Sequence, residues 1–161
     1  TERRFKSVKL GSDELFKFPF IMITGEADFY FSKKERDNLK TYLESGGFML
    51  ASAGCSSKAF DRAFRREIGR IFGKKSLERV PMKHAMFRTV KEIKTLGVRK
   101  GDAGPGAFLE GMKRKGKYVL VYSQEGLNDT SNTSGCCCCG GNELGNALDI
   151  NVNIVVYALT H

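Results

Sequence analysis

Two short stretches of this chain are apolar at every position, Phe20-Ile21-Met22-Ile23 and Phe48-Met49-Leu50-Ala51. Side chains alternate between the faces of a strand, so an unbroken apolar run predicts a strand covered on both faces. The first run ends at Thr24-Gly25 and the second at Ala53-Gly54-Cys55-Ser56-Ser57. Between them, Ser32-Lys33-Lys34-Glu35 has the spacing of a capping box, in which the serine and glutamate side chains each accept an otherwise unpaired backbone N–H. Leu39, Tyr42 and Leu43 follow as the apolar stripe of a helix that Gly46-Gly47 closes. Phe60, Ala63, Phe64, Ile68, Ile71 and Phe72 recur at helical spacing and predict a second amphipathic helix. Strand, helix, strand, helix with short connections implies parallel strands joined by right-handed crossovers.

Past Gly73 the pattern loosens. Pro81-Met82-Lys83-His84 reads as a loop, and Phe87 to Ile93 alternates as a half-exposed strand would. Gly101 to Gly106 is a glycine-rich loop, and Phe108 to Met112 with Tyr118 to Tyr122 predict a hairpin around Arg114-Lys115-Gly116. Ser123 to Gly141 is a long polar loop. From Asn142 two periods compete: Leu144, Leu148, Val152, Val155 and Leu159 fit a helix, whereas Ile150, Val152, Ile154 and Val156 alternate. Helix is the reading taken. With no internal repeat and no linker, the 161 residues are expected to form a single domain over 1–161.

The formal net charge of +9 is unevenly placed. All 27 Lys and Arg precede Tyr118, whereas Glu125, Asp129, Glu143 and Asp149 are the only charged side chains after it. The acidic last third favours a cation over phosphate as a ligand, and no aromatic signature or finger spacing supports nucleic acid as a partner. Lys33, Lys34, Arg36 and Lys40, and Arg62, Arg65, Arg66 and Arg70, read as solvated helix faces. No apolar run has the length of a membrane span. The chain starts at Thr1 rather than at methionine, and an exported or periplasmic location is the expectation over a cytoplasmic one.

The cysteines add the first candidate chemistry. Cys136, Cys137, Cys138 and Cys139 are contiguous, and Cys55 is the fifth. Adjacent cysteines pair only through a strained ring, so soft-metal or thiol chemistry is favoured over structural bridges. In an extended backbone Cys136 and Cys138 face one way and Cys137 and Cys139 the other, so one tetrahedral ion does not collect all four. Two of them with Cys55, or with His84 or an acidic residue, would suit zinc; several thiolates together would suit copper(I). Packing of the cysteines without any ligand is the competing reading.

Several phrases carry a resemblance: Phe18-Pro19-Phe20-Ile21-Met22-Ile23-Thr24-Gly25, Tyr42-Leu43-Glu44-Ser45-Gly46-Gly47-Phe48, Phe60 to Glu67, His84-Ala85-Met86-Phe87 and Asn151 to Thr160. These resemble an uncharacterised bacterial family of the class I glutamine amidotransferase-like superfamily, near its ThuA-like relatives. The resemblance implies an α/β fold, a flavodoxin-like three-layer sandwich with a mainly parallel sheet and a late antiparallel hairpin. It also implies that the domain is trimmed at its amino terminus, since relatives carry another strand and helix there.

In such a sheet, ligands bind beyond the carboxyl ends of the strands. The groups expected there are Glu26 and Asp28, Gly54-Cys55-Ser56, Gln124-Glu125 and the cysteine run. In the resembled superfamily the position of Cys55 is a nucleophile elbow, here with small residues at Ala53 and Ser57 but without the usual glycines. The superfamily's catalytic His-x-Glu has no counterpart, which leaves a Cys55–His84 dyad as the catalytic candidate and a small buried thiol as its bland alternative. Three functions stay open on these residues. One is a non-catalytic binding domain holding zinc or copper, or a small molecule. A second is a thiol hydrolase or amidotransferase-like enzyme using Cys55. The third is a protein-interaction module of an envelope assembly.

Overall fold

The computed structural model describes residues 5–98, 106–127 and 144–161. Both continuous apolar runs are strands, β1 (Phe20–Gly25) and β2 (Phe48–Ala53), paired in parallel from Phe20 opposite Phe48 to Gly25 opposite Ala53. The intervening helix α1 (Lys33–Glu44) starts at the expected capping box: Ser32 Oγ accepts from Glu35 N–H, and the Glu35 carboxylate accepts from Ser32 N–H at 2.7 Å. Helix α2 (Lys58–Phe72) follows β2 and buries Phe60, Ala63, Phe64 and Ile68 as its stripe predicts.

The rest of the sheet comes from β3 (Glu78–Arg79) and the hairpin of β4 (Leu109–Arg114) and β5 (Lys117–Ser123). Strand order is β1-β2-β5-β4-β3, with β5 parallel to β2, and the β5–β4 and β4–β3 pairs antiparallel. The sheet is therefore mixed, not mainly parallel. Lys115 and Gly116 cause this, with φ of 50° and 79°: two left-handed residues reverse the chain in a tight hairpin, whereas a parallel neighbour needs a crossover. The expected hairpin is present at the expected turn.

Alternate residues of β2 feed two cores. Met49, Ala51 and Ala53 join α1 and α2 on one face, where the Phe64 and Tyr122 rings stack with centroids 4.2 Å apart. Phe48 and Leu50 join the opposite cluster, which contains Ile150, Ile154 and Tyr157 of α3 (Ala147–Thr160). Helices thus cover both faces, and each buried large side chain contributes on the order of 1.5–3 kcal/mol. The Tyr42 ring lies over Gly47, where a Cβ would stand 2.4 Å from it, and its hydroxyl donates to Phe18 O at 2.8 Å. One side chain so ties α1 to the approach to β1.

The alternation of Phe87 to Ile93 does not make a strand. Residues Ala85–Arg88 form a 3-10 turn, and the following amides are satisfied by a side chain: the buried Asn153 Oδ1 accepts from Val90 N–H at 3.0 Å and Lys91 N–H at 2.9 Å. Phe87 and Ile93 are buried anchors of an irregular segment rather than members of a ladder. The ambiguous final segment is helical, as read.

Candidate functional site

Beyond the carboxyl ends of β1, β2 and β5, three turns meet. Gly54 allows the first approach, since a Cβ there would lie 3.1 Å from both Gly25 O and Glu26 Cγ. The chain then takes two left-handed residues in succession, Cys55 at φ 52° and ψ 26° and Ser56 at φ 54°. For residues with a Cβ this costs about 1–2 kcal/mol each, and such strain concentrates at functional sites. Ser57 ends the turn and caps α2, its hydroxyl accepting from Phe60 N–H at 3.3 Å and donating to Glu26 O at 2.5 Å. The result is a thiol held beside the amino-terminal end of a fifteen-residue helix. Cys55 Sγ donates to Glu26 Oε1 at 3.3 Å. From the third side, Gly126 N–H donates to Ser56 Oγ at 3.3 Å, and Ser123 Oγ donates to Glu125 O at 2.7 Å.

A fixed polar wall stands alongside. Arg65 donates to both oxygens of Glu110, at 3.1 and 2.5 Å, to Asp61 at 2.9 Å and to Gln124 at 3.4 Å. The hydrogen bond to Glu110 is the first cause that raises the Arg65 guanidinium above its already high ordinary value. Tyr122 donates to Asp61 at 2.9 Å, and burial, then the charge of Asp61, push its phenol well above the ordinary range. Burial also raises the Glu125 carboxyl, with the charges of Asp61 and Glu110 adding to the effect. The wall therefore combines a permanent cation, a phenol that stays protonated and a carboxyl that keeps its proton to a higher pH than an exposed glutamate does.

The loop between β1 and α1 is fastened to α2 along its length. Arg66 donates to Asp28 at 2.9 Å and to Phe29 O, and its hydrogen bond is the first cause of the lowered Asp28 carboxyl. Glu67 is fully buried and accepts from Phe31 N–H at 3.1 Å, Arg66 at 3.2 Å and Arg70 at 2.8 Å, with Arg36 3.6 Å away. Arg66 also stacks on Tyr30 at 3.8 Å. Arg36, Arg65 and Arg66 are part-buried structural partners, which corrects their reading as solvated, whereas Lys33, Lys34, Lys40, Arg62 and Arg70 of the same faces are exposed as expected. The buried acceptor Glu67 sits on the apolar stripe of α2, and that interruption was the available signal.

Of the residues singled out in the sequence, the structure brings together Cys55, Ser56 and Glu26, with the Gln124-Glu125-Gly126 turn against them. It does not bring His84 to Cys55. His84 Nδ1 accepts from Met86 N–H at 3.2 Å, and its ring meets Tyr118 edge-on at 4.9 Å. Tyr118 is the second residue of β5, whereas Ser123 at its far end pairs with Ser52 near the Cys55 turn, so the dyad partners occupy opposite ends of the sheet. Burial, then the charge of Lys113, lower the His84 imidazole. Cys136, Cys137, Cys138 and Cys139 lie outside the described residues. Among the described residues, no three His, Cys, Asp or Glu side chains group as metal ligands, Cys55 included.

These features define an α/β domain with a mixed five-stranded sheet and a strained strand-to-helix turn at its carboxyl edge. The chain belongs to the DUF4159 family, a domain of unknown function, whose family model matches residues 1–159. No curated protein matches it. Among the described residues, no helix is long and apolar enough to cross a membrane.

Proposed function

We propose that this domain is a thiol-dependent acyl-transfer enzyme, hydrolase or amidotransferase-like, with Cys55 as nucleophile and Glu26 as the carboxylate that takes its proton. One observation carries the reading: a left-handed Cys55 at a strand-to-helix turn, its thiol hydrogen-bonded to a carboxylate from the neighbouring strand end. A cysteine that only packs needs neither feature. As sulfur attacks the acyl carbon, the thiol proton passes to Glu26, which returns it to the departing group; water then cleaves the thioester and restores the thiol. Developing negative charge lies beside the amino terminus of α2, where it is favoured. Glu26, one of two strand-end carboxylates that the sequence offered for acid–base work, takes the part given there to His84 in the dyad. The same turn, with helices on both faces of the sheet, supports the class I glutamine amidotransferase-like and flavodoxin-like resemblance.

The test uses p-nitrophenyl acetate with a chain whose Cys136 to Cys139 are changed to serine. A nitrophenolate burst of one equivalent is expected, with the acetyl group on Cys55 by mass spectrometry, no burst after Cys55→Ala, and acylation at least tenfold slower after Glu26→Gln. A burst that survives Cys55→Ala, or no burst at all, sinks the proposal.

A further inference from the structure

Helix α3 is apolar on the side turned away from the sheet as well as on the side packed against it. Ile150, Ile154 and Tyr157 are buried in the core beneath it. At about 100° per residue, Leu148, Val152, Val155 and Leu159 fall within an arc of about 60° on the opposite side. Leu148 keeps 68% of its surface in solvent, Val152 37% and Leu159 60%, and Val155 is half-buried. The other two helices are built differently: α1 exposes Lys33, Asp37, Lys40 and Glu44, and α2 exposes Lys58, Arg62 and Arg70. Asp149 is the only charged side chain in α3. A surface helix ordinarily turns charge to water, and one that is apolar all round is a covered helix. A continuous exposed stripe of this kind marks an interaction surface.

The order of the stripe says what covers it. Its steps of four, three and four residues alternate as the a and d positions of a coiled coil do, a seam that a second helix fills. The stripe also reads the same from both ends, Leu-Val-Val-Leu with symmetric spacing. An antiparallel copy of α3 therefore sets Leu148 against Leu159 and Val152 against Val155, and a two-fold axis repeats each contact. Charge selects this direction. Asp149 stands in the first turn of α3, and Lys117 donates to His161 O just past its last turn. A parallel pair would bring the two Asp149 ends together and the two Lys117 ends together. An antiparallel pair brings each acidic end to a basic one and opposes the two helix dipoles.

We propose that α3 is a dimerisation helix, on which a second copy of this chain packs stripe to stripe and antiparallel. With 14 residues the helix is about 21 Å long, so one helix pair falls short of the roughly 800 Å² that each partner buries in a standard interface. The dimer is accordingly a weak one, with a dissociation constant above about 1 µM. It is independent of the Cys55 reading.

Sedimentation equilibrium in reductant, on the chain with Cys136 to Cys139 changed to serine, would span about 5 µM to about 1 mM to bracket such an affinity. A monomer–dimer equilibrium with nothing larger is expected, because a two-fold contact closes on itself. Leu148→Glu and Leu159→Lys should each weaken the dimer about tenfold or more, since each places a charge against a leucine. Both positions are exposed, so Tm should stay within about 2 °C of the parent. Mixed in equal amounts, the two variants should associate about fivefold more tightly than either does alone. The mixed pair keeps one contact between Leu148 and Leu159 and places opposite charges at the other end. Phe16→Ser, at an exposed apolar position before β1, should leave the equilibrium unchanged. A parent still monomeric at the highest concentration, assembly beyond the dimer, undiminished association in Leu148→Glu, a mixture no tighter than its components, or an equal loss in Phe16→Ser would each overturn the assignment.

Discussion

Replacing Glu67 tests how the loop that carries Glu26 is held. Its carboxylate is fully buried, whereas its partners Arg36, Arg66 and Arg70 keep 31%, 27% and 48% of their side-chain surface in solvent. Hydrogen bonds to a charged group are worth about 1.5–3 kcal/mol each. After Glu67→Ala the arginines turn to water and recover most of that loss. The part-buried Phe31 N–H recovers less, and the vacated volume adds a cavity. The sum is about 3 kcal/mol, at the low end for breaking a buried pair. Glu67→Gln keeps the volume and an acceptor for Phe31, so about 1–2 kcal/mol is expected. Urea unfolding with an unchanged m-value would measure both, and Tm should fall by about 6–12 °C for the alanine variant. Amide exchange at Phe31 should quicken in Glu67→Ala and far less in Glu67→Gln. An alanine variant within about 0.5 kcal/mol of the parent would refute the reasoning, because a buried carboxylate with such partners cannot be neutral to remove.

Glu125 should give stability a pH slope. Its folded carboxyl holds a proton above the ordinary glutamate range, so in that window the folded chain binds more protons than the unfolded chain and stability falls as pH rises through it. Glu125→Gln removes the slope: relative to the parent it should gain urea midpoint near about pH 7.5 but not near about pH 4. A midpoint difference identical at both pH values would contradict this. For Cys136 to Cys139, the proposal of soft-metal binding predicts zinc or copper in protein purified without added metal, lost in Cys136→Ser/Cys138→Ser. Elemental analysis showing none in the parent removes that proposal.

Much of the frame was legible because burial leaves a period. β1 and β2 are covered on both faces and read as unbroken apolar runs, and the Ser32–Glu35 box marked the start of α1 to the residue. β3 was illegible because Glu78 and Arg79 are both exposed and polar and owe their ladder to β4. Phe87 to Ile93 misled because alternation measures burial, not pairing, and Asn153 supplies from another element the acceptors a strand partner would have provided. At the site, the strand ends named Glu26 and Cys55, but not that they touch. That contact depends on Gly54 admitting β1 closely and on Ser57 reaching Glu26 O, distances that no spacing along the chain encodes. His84 was chosen for its chemistry alone, and topology sent it to the far edge.

The loop from Glu26 to Phe31 is joined at both ends to one rod. Ser57 grips its start, Arg66 its middle and Glu67 its end, and all three belong to α2 or its cap. The separation of thiol and carboxylate is thus set by a helix, not by the wanderings of a loop. Local fraying does not loosen such a pair by degrees. The proposed chemistry at Cys55 is then lost when α2 melts, so the acylation assay of that thiol doubles as a gauge of whether the domain is folded.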